Sequence, residues 1–324
     1  MRYCAGQKCH LSATCTMSAN ILHSCPPSSP SPVVNLLLLI MNMAEGFEFN
    51  KIYVVESLIA ERKTGRELFD DLLRWREMQI TELSCQIFQP DTKKDFSDNL
   101  TTILEDTRAN GNCPILHIEA HGDRRGLMLA SSEYVAWAEM YEYFAQLNMQ
   151  SRFNLFLTLG ICKGAYLMEE IKSDRPAPFW GFIGSFDDLF NNDIIIRYLE
   201  FYTEFLSSYD LNRAYENLLK ANPGFTAKYR FVSSEQTFKN VYRKYVETQF
   251  SDEAIKRRFD TTNKEIGKKY ADRNTRSKDF IQFKSNLFRT KDFFMEKHRD
   301  LFFMVELYPE NRVRFNLDNW QPFK

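Results

Sequence analysis

The sequence predicts an α/β fold, an α/β/α sandwich with a mostly parallel central sheet, and a mainly helical C-terminal region. Three observations lead to the sheet. Short apolar, β-branched runs recur from residue 51 onward, and helical patterns separate them. With 44% hydrophobic and 26% charged residues, the chain can also bury a folded core. Strands joined by helical crossovers run parallel and need cover on both faces.

The elements follow in order. Lys51–Val55 is a strand by its β-branched content. Thr64 can cap a helix reaching Ile80, with Glu67 at capping-box spacing and Leu68, Leu72, Leu73 and Trp75 on its apolar face. Leu83–Phe88 is the second strand, and Pro90 closes it. Asp95–Asn110 is helical and stops at Gly111. Ile115–Ala120 is the third strand. Gly126–Leu129 and Tyr134–Val135 suggest a small β-excursion outside the main sheet. A helix over 136–149 leads to the fourth strand, Phe153–Leu159. Gly164–Ile171 is helical, Phe179–Gly184 is the fifth strand, and helices follow over 188–207 and 211–221.

Beyond Phe225 the pattern changes. Residues 225–300 show no clear strand and carry 19 Lys and Arg against 11 Asp and Glu. This basic stretch predicts amphipathic helices packed on the sheet domain, with a surface for a regulatory protein partner as the alternative. Leu301–Tyr308 and Arg312–Leu317 read as a terminal β-hairpin around Pro309-Glu310-Asn311. The expected organisation is therefore an N-terminal extension (1–42), a sheet domain (43–224) and a basic helical region with a hairpin (225–324).

The extension is set apart by Pro26–Pro32, a segment unfit for helix or central strand. The apolar run Val33–Met41 is too short to span a bilayer, which takes about 20 residues. Met41 or Met43 is the expected start, with the preceding segment disordered or over-extended. Cys4, Cys9, His10 and Cys15 match no common zinc spacing. Seven cysteines, four of them in the first 25 residues, form no disulfide framework and point to a reducing cytoplasm. A net charge of −1 argues against nucleic acid as the partner. No cofactor is called for.

Two segments carry the chemistry. Ile115–Ala120 leads into His121-Gly122, and Phe153–Leu159 leads into Gly160-Ile161-Cys162-Lys163-Gly164. A thiol becomes a nucleophile when a base stands nearby. Both residues fall at carboxyl ends of strands, where sites in such sheets gather. A helix after Cys162 would also present its N-terminus to a thiolate. The competitor, His117, projects from mid-strand and reads as a packed or hydrogen-bonded core residue with Glu119 as neighbour. A metal site from His117, Glu119 and His121 lacks a clear further ligand.

The His-Gly and Gly-Ile-Cys-Lys-Gly segments, each after an apolar strand, resemble those of the caspase-like cysteine peptidases, and among them the bacterial CHAT-type branch. The resemblance covers residues 51–221, including the Gly184-Ser185-Phe186-Asp187 segment. It implies a caspase-like α/β/α sandwich and a cysteine endopeptidase that cleaves a partner protein, in a bacterial defence or regulated cell-death setting. It assigns His121 and Cys162 as catalytic dyad and the backbone N–H groups of Gly122 and Cys162 as oxyanion hole. Asp123, Arg124, Ser185, Asp187 and Asp188 are the expected substrate-pocket residues. Where metacaspase-like chains carry an Asp two residues before the cysteine, this chain has Gly160. The rival expectations are a catalytically inactive scaffold or sensor that binds protein partners, and a cysteine amidase acting on small molecules.

Overall fold

The computed structural model describes residues 46–59, 62–225 and 228–319. The expected extension, its cysteines and the candidate start methionines lie outside the described residues.

The chain forms an α/β fold with a mostly parallel mixed sheet. Its strands are β1 (Lys51–Ser57), β2 (Ser84–Phe88), β3 (Pro114–Asp123), β4 (Gly126–Met128), β5 (Tyr134–Ala136), β6 (Phe156–Ile161), β7 (Gly181–Ser185) and β8 (Tyr229–Ser233). The main sheet runs β2-β1-β3-β6-β7-β8. All neighbours in it are parallel except β8, which pairs antiparallel with β7. Strands β4 and β5 extend β3 as an antiparallel excursion. The order steps from β1 outward to β2 and then back through β3 to β6 and β7. Right-handed crossovers in opposite directions put helices on opposite faces, and the direction reverses between β1 and β3.

Helix α1 (Thr64–Leu68) passes through a π-turn (Phe69–Leu73) into α2 (Arg74–Gln79). Thr64 is not its cap: the residue lies inside the first turn, fully buried, and its hydroxyl bonds Glu119. Glu67 instead pairs with Arg62 at 2.6 Å, and Trp75 is half exposed. Helix α3 (Lys93–Asn110) begins in a capping box between Thr92 and Asp95 and ends at Gly111, whose φ of 65° is the left-handed conformation glycine adopts freely. Helix α4 (Trp137–Gln150) precedes β6, and α5 (Asn191–Ser208) and α6 (Leu211–Lys220) follow β7.

Buried Arg197 ties α5 to α6 and the loop beyond. Its guanidinium donates to Asp193 (2.7 Å) and to the carbonyls of Leu218, Leu219, Asn222 and Phe225 (2.7–3.0 Å).

The C-terminal third departs from expectation twice. Tyr229–Ser233 is a strand, closing the sheet edge from within a stretch that shows none by pattern. The terminal β-hairpin does not form. After α7 (Ser234–Gln249), α8 (Asp252–Glu265) and α9 (Arg273–Arg289), helix α10 (Lys291–Phe302) runs into turns, a short α11 (Asn311–Arg314) and a 3-10 turn. The apolar run 302–305 is consumed by packing rather than pairing: Phe303 stacks on Phe153, and Phe302 meets Phe238. Phe153 precedes β6, so this segment seals the amino-terminal edge of the sheet.

Candidate active site

The β3–β6 register pairs Ile115 with Phe156 and Ala120 with Ile161, residues 41 apart in the chain. His121 and Cys162 are also 41 apart, so they stand level on adjacent strands at the carboxyl edge. Neighbouring strands lie about 4.8 Å apart. Both side chains line one cavity of about 40 Å³, together with Leu58, Thr64, Glu119, Gly160, Leu189 and Asn191. Leu58 follows β1, so the cavity opens at the point where the strand order reverses, the usual place for a site in such sheets.

Gly122 makes this approach close. A Cβ there would collide with Ile161 Cγ2 and stand 2.9 Å from the Cys162 carbonyl oxygen. Gly160 performs a second service: its missing side chain leaves room for Glu119, whose Cγ would lie 2.9 Å from a Cβ at 160.

Behind the cavity runs a buried polar ladder. Tyr202 and Thr158 share a hydrogen bond of 2.7 Å, and Thr158 meets His117 Nδ1 at 2.8 Å. His117 Nε2 meets Glu119 at 2.9 Å, and Glu119 accepts from Thr64. His117 is fully buried, with Tyr198 edge-on to its ring at 4.7 Å. It is thus the hydrogen-bonded core residue its mid-strand position suggests. Among the described residues, no three His, Cys, Asp or Glu side chains are grouped to hold a metal ion.

Cys162 is partly buried and held by the loop after β7. Its Sγ accepts the Leu189 N–H at 3.1 Å and reaches the Leu189 carbonyl at 3.6 Å. Burial pushes the thiol above its ordinary range, the Leu189 N–H pulls it back, and Asp188 and Lys163 act in opposite directions. The expected helical segment after Cys162 forms as a seven-residue 3-10 helix (Gly164–Glu170) rather than an α-helix. Lys163 takes a left-handed φ of 58°, turning the chain sharply after the thiol. Its backbone N–H donates to Asp187 O (3.0 Å), and its ammonium pairs with Asp188 at 2.6 Å.

The five expected pocket residues lie around this cavity rather than in its wall. Asp123 turns the β3–β4 hairpin, accepting from Arg125 N–H and Tyr134; the Arg125 N–H above all takes its carboxyl down to about 2. Arg124 lies over the Tyr166 ring at 4.5 Å. Ser185 is buried and bonds Lys228 O and Asp187 N; Asp187 accepts from Lys228 N–H at 3.0 Å. Asp188 holds Lys163. These contacts brace the 185–190 loop. The wall residues that pattern reading missed are Leu58, Thr64, Glu119 and Asn191. Glu119 left a signal, a carboxylate inside an otherwise apolar strand.

No family model matches this sequence, and no curated protein matches it either. The site therefore has to be judged on its own geometry.

Proposed function

We propose that the chain is a cysteine endopeptidase of caspase-like fold, acting on a partner protein through His121 and Cys162. The observation that carries this reading is the level placement of the two residues on adjacent strand ends, facing one cavity at the sheet's switch point. Cys162 gives its proton to His121, and Sγ bonds to the scissile carbonyl carbon. Backbone N–H groups of Gly122 and Cys162 receive the oxyanion. Collapse breaks the C–N bond, and His121 returns the proton to the leaving amine. Water then hydrolyses the thioester and frees the thiol.

The cavity is small, about 40 Å³, and Leu189 stands in its wall. On this reading a peptide substrate displaces Leu189 from the cavity wall, which also releases Sγ from the Leu189 backbone. The small size of the cavity supports a second reading, a caspase-like scaffold that binds partners without catalysis.

The test is cleavage mapping on a mixture of proteome-derived peptides, with Cys162→Ala as control. The endopeptidase reading expects cuts that vanish in Cys162→Ala while the unfolding temperature stays put. Cuts that persist in that variant would sink it. Absence of both cuts and labelling by electrophilic peptides would leave the scaffold standing.

A further inference from the structure

Helices α8 and α9 form an antiparallel hairpin. Lys284–Asp252 and Arg276–Asp260 ion pairs lace it, each at 2.6 Å, and Phe259 packs against Phe280 and Phe283 at 5.3 and 5.5 Å. Helix α8 buries Ala254, Ile255 and Phe259, whereas α9 is far less covered. Helix α9 has no buried residue over 17 positions, although it carries Phe280, Ile281, Phe283, Leu287 and Phe288. Ile281 is 67% exposed and Phe288 45%. A helix that is neither polar on its outer face nor buried lacks a partner.

Two cavities flank the hairpin. One, of about 360 Å³, has Phe259, Phe280 and Ile281 in its wall with Lys256 and Arg273. The other, of about 500 Å³, has Phe283 with Arg257 and Arg258. Helical spacing puts 256 and 259 on one side of α8 and 257, 258, 261 and 262 on the other. Lys256, Arg257 and Arg273 have no acidic partner among the described residues. Residues 252–289 hold 11 Lys and Arg against six Asp and Glu.

We infer that the Lys256 side of this hairpin is a docking surface for an acidic amphipathic segment of a partner protein, with Leu- or Phe-type side chains against Phe259, Phe280 and Ile281 and carboxylates on Lys256 and Arg273. Charge complementarity selects the acid; the cavity selects the apolar anchors, as in helix-in-groove recognition. A nucleic acid would leave the apolar floor empty. Its phosphates would also meet Asp252, Asp260 and Asp279, which already occupy three of the cations. The inference is independent of the catalytic assignment.

The test uses the full chain and a fluorescein-labelled helical peptide with a Leu/Phe stripe flanked by Glu, read by anisotropy. Binding is expected, weakening as salt rises. The double variant Lys256→Glu/Arg273→Glu should lose affinity by about tenfold or more. Ile281→Asp should lose comparably, while Val313→Asp, also at a highly exposed position, should bind as wild type. The inference falls if the Glu-flanked peptide does not bind, or if a Lys-flanked peptide binds equally well. It also falls if Lys256→Glu/Arg273→Glu and Ile281→Asp bind normally, or if oligo-dT or phosphatidylserine vesicles bind more tightly than the peptide.

Discussion

Gly122→Ala separates chemistry from folding. The added Cβ collides with Ile161 Cγ2 and stands 2.9 Å from a backbone carbonyl, where a relaxed carbon contact needs about 3.5–4.0 Å. The ends of β3 and β6 must then part by on the order of 1 Å. Overpacking of this kind costs about 1–3 kcal/mol. The catalytic consequence is larger, because His121 and Cys162 sit on those same strand ends. A misplacement of about 1 Å costs roughly 100-fold in rate. The assay is kcat/KM on a peptide recovered from the cleavage mapping, beside thermal unfolding. Gly111→Ala is the control: it forces a side chain into a left-handed position with open space around it, so it should cost about 1 kcal/mol and leave the rate alone. Adding Ile161→Ala removes the nearest clash, so its effect on rate should couple with that of Gly122→Ala. A folded Gly122→Ala protein that cleaves at the wild-type rate refutes the strand-end geometry as the seat of catalysis.

Other outcomes follow from the same contacts. A limiting electrophilic peptide should label Cys162 before Cys85 or Cys113, whose thiols burial pushes to about 12 and about 11; peptide mass spectrometry reads the order. Asp188→Asn removes a neighbour that raises the Cys162 thiol and leaves Lys163, which lowers it, so the pH midpoint of alkylation should move down. The raised Cys85 and Cys113 thiols favour the folded state below their ordinary value of 9.0, and this contribution is lost as pH climbs from there toward 11–12. The unfolding temperature should therefore fall over that range, and less steeply in Cys85→Val. Arg197→Met strands buried Asp193 and four carbonyls, and should cost about 3–5 kcal/mol in denaturant unfolding.

The parallel strands were legible because each is an apolar run with clear punctuation, and so was His117, whose alternation with Leu116 and Ile118 puts it inside the sheet. Strand β8 was not. It is a five-residue edge strand with Arg230 exposed, and its signal is pairing with β7 rather than pattern. The terminal hairpin failed for a related reason. A short apolar run reads equally as strand or buried turn, and here Phe153 and Phe238 decided it by packing. Thr64 resembled a cap because a hydroxyl before a helical run is one; the competing acceptor, Glu119, lies 55 residues away in the chain. Among the expected site residues, the level placement of His121 and Cys162 was legible from strand ends, while the cavity wall depended on contacts from β1, α1 and the loop before α5.

That dependence bears on how the dyad could be controlled. Four of the five residues expected to read substrate are instead occupied at the edge of the site: Asp123 in its turn, and Ser185, Asp187 and Asp188 around the loop. The Leu189 backbone of that loop holds the Cys162 thiol directly. The charged ties on the loop, from Lys163 to Asp188 and from Lys228 to Asp187, are near solvent, where such contacts contribute about 0–1 kcal/mol each, while Leu189 is buried and Phe186 packs on Tyr166. The ladder behind it is buried, and Glu119→Leu would orphan both His117 Nε2 and the Thr64 hydroxyl at about 1–3 kcal/mol apiece. The site thus combines a buried hydrogen-bonded floor with a cover held by Leu189, by Phe186 on Tyr166 and by a few exposed polar ties. A ligand needs to displace only the cover to reach the thiol, so Lys163→Met should speed Cys162 labelling even though it removes a cation beside the sulfur. Slower labelling in Lys163→Met would mean that the charge at Lys163, rather than its hold on the loop, governs access.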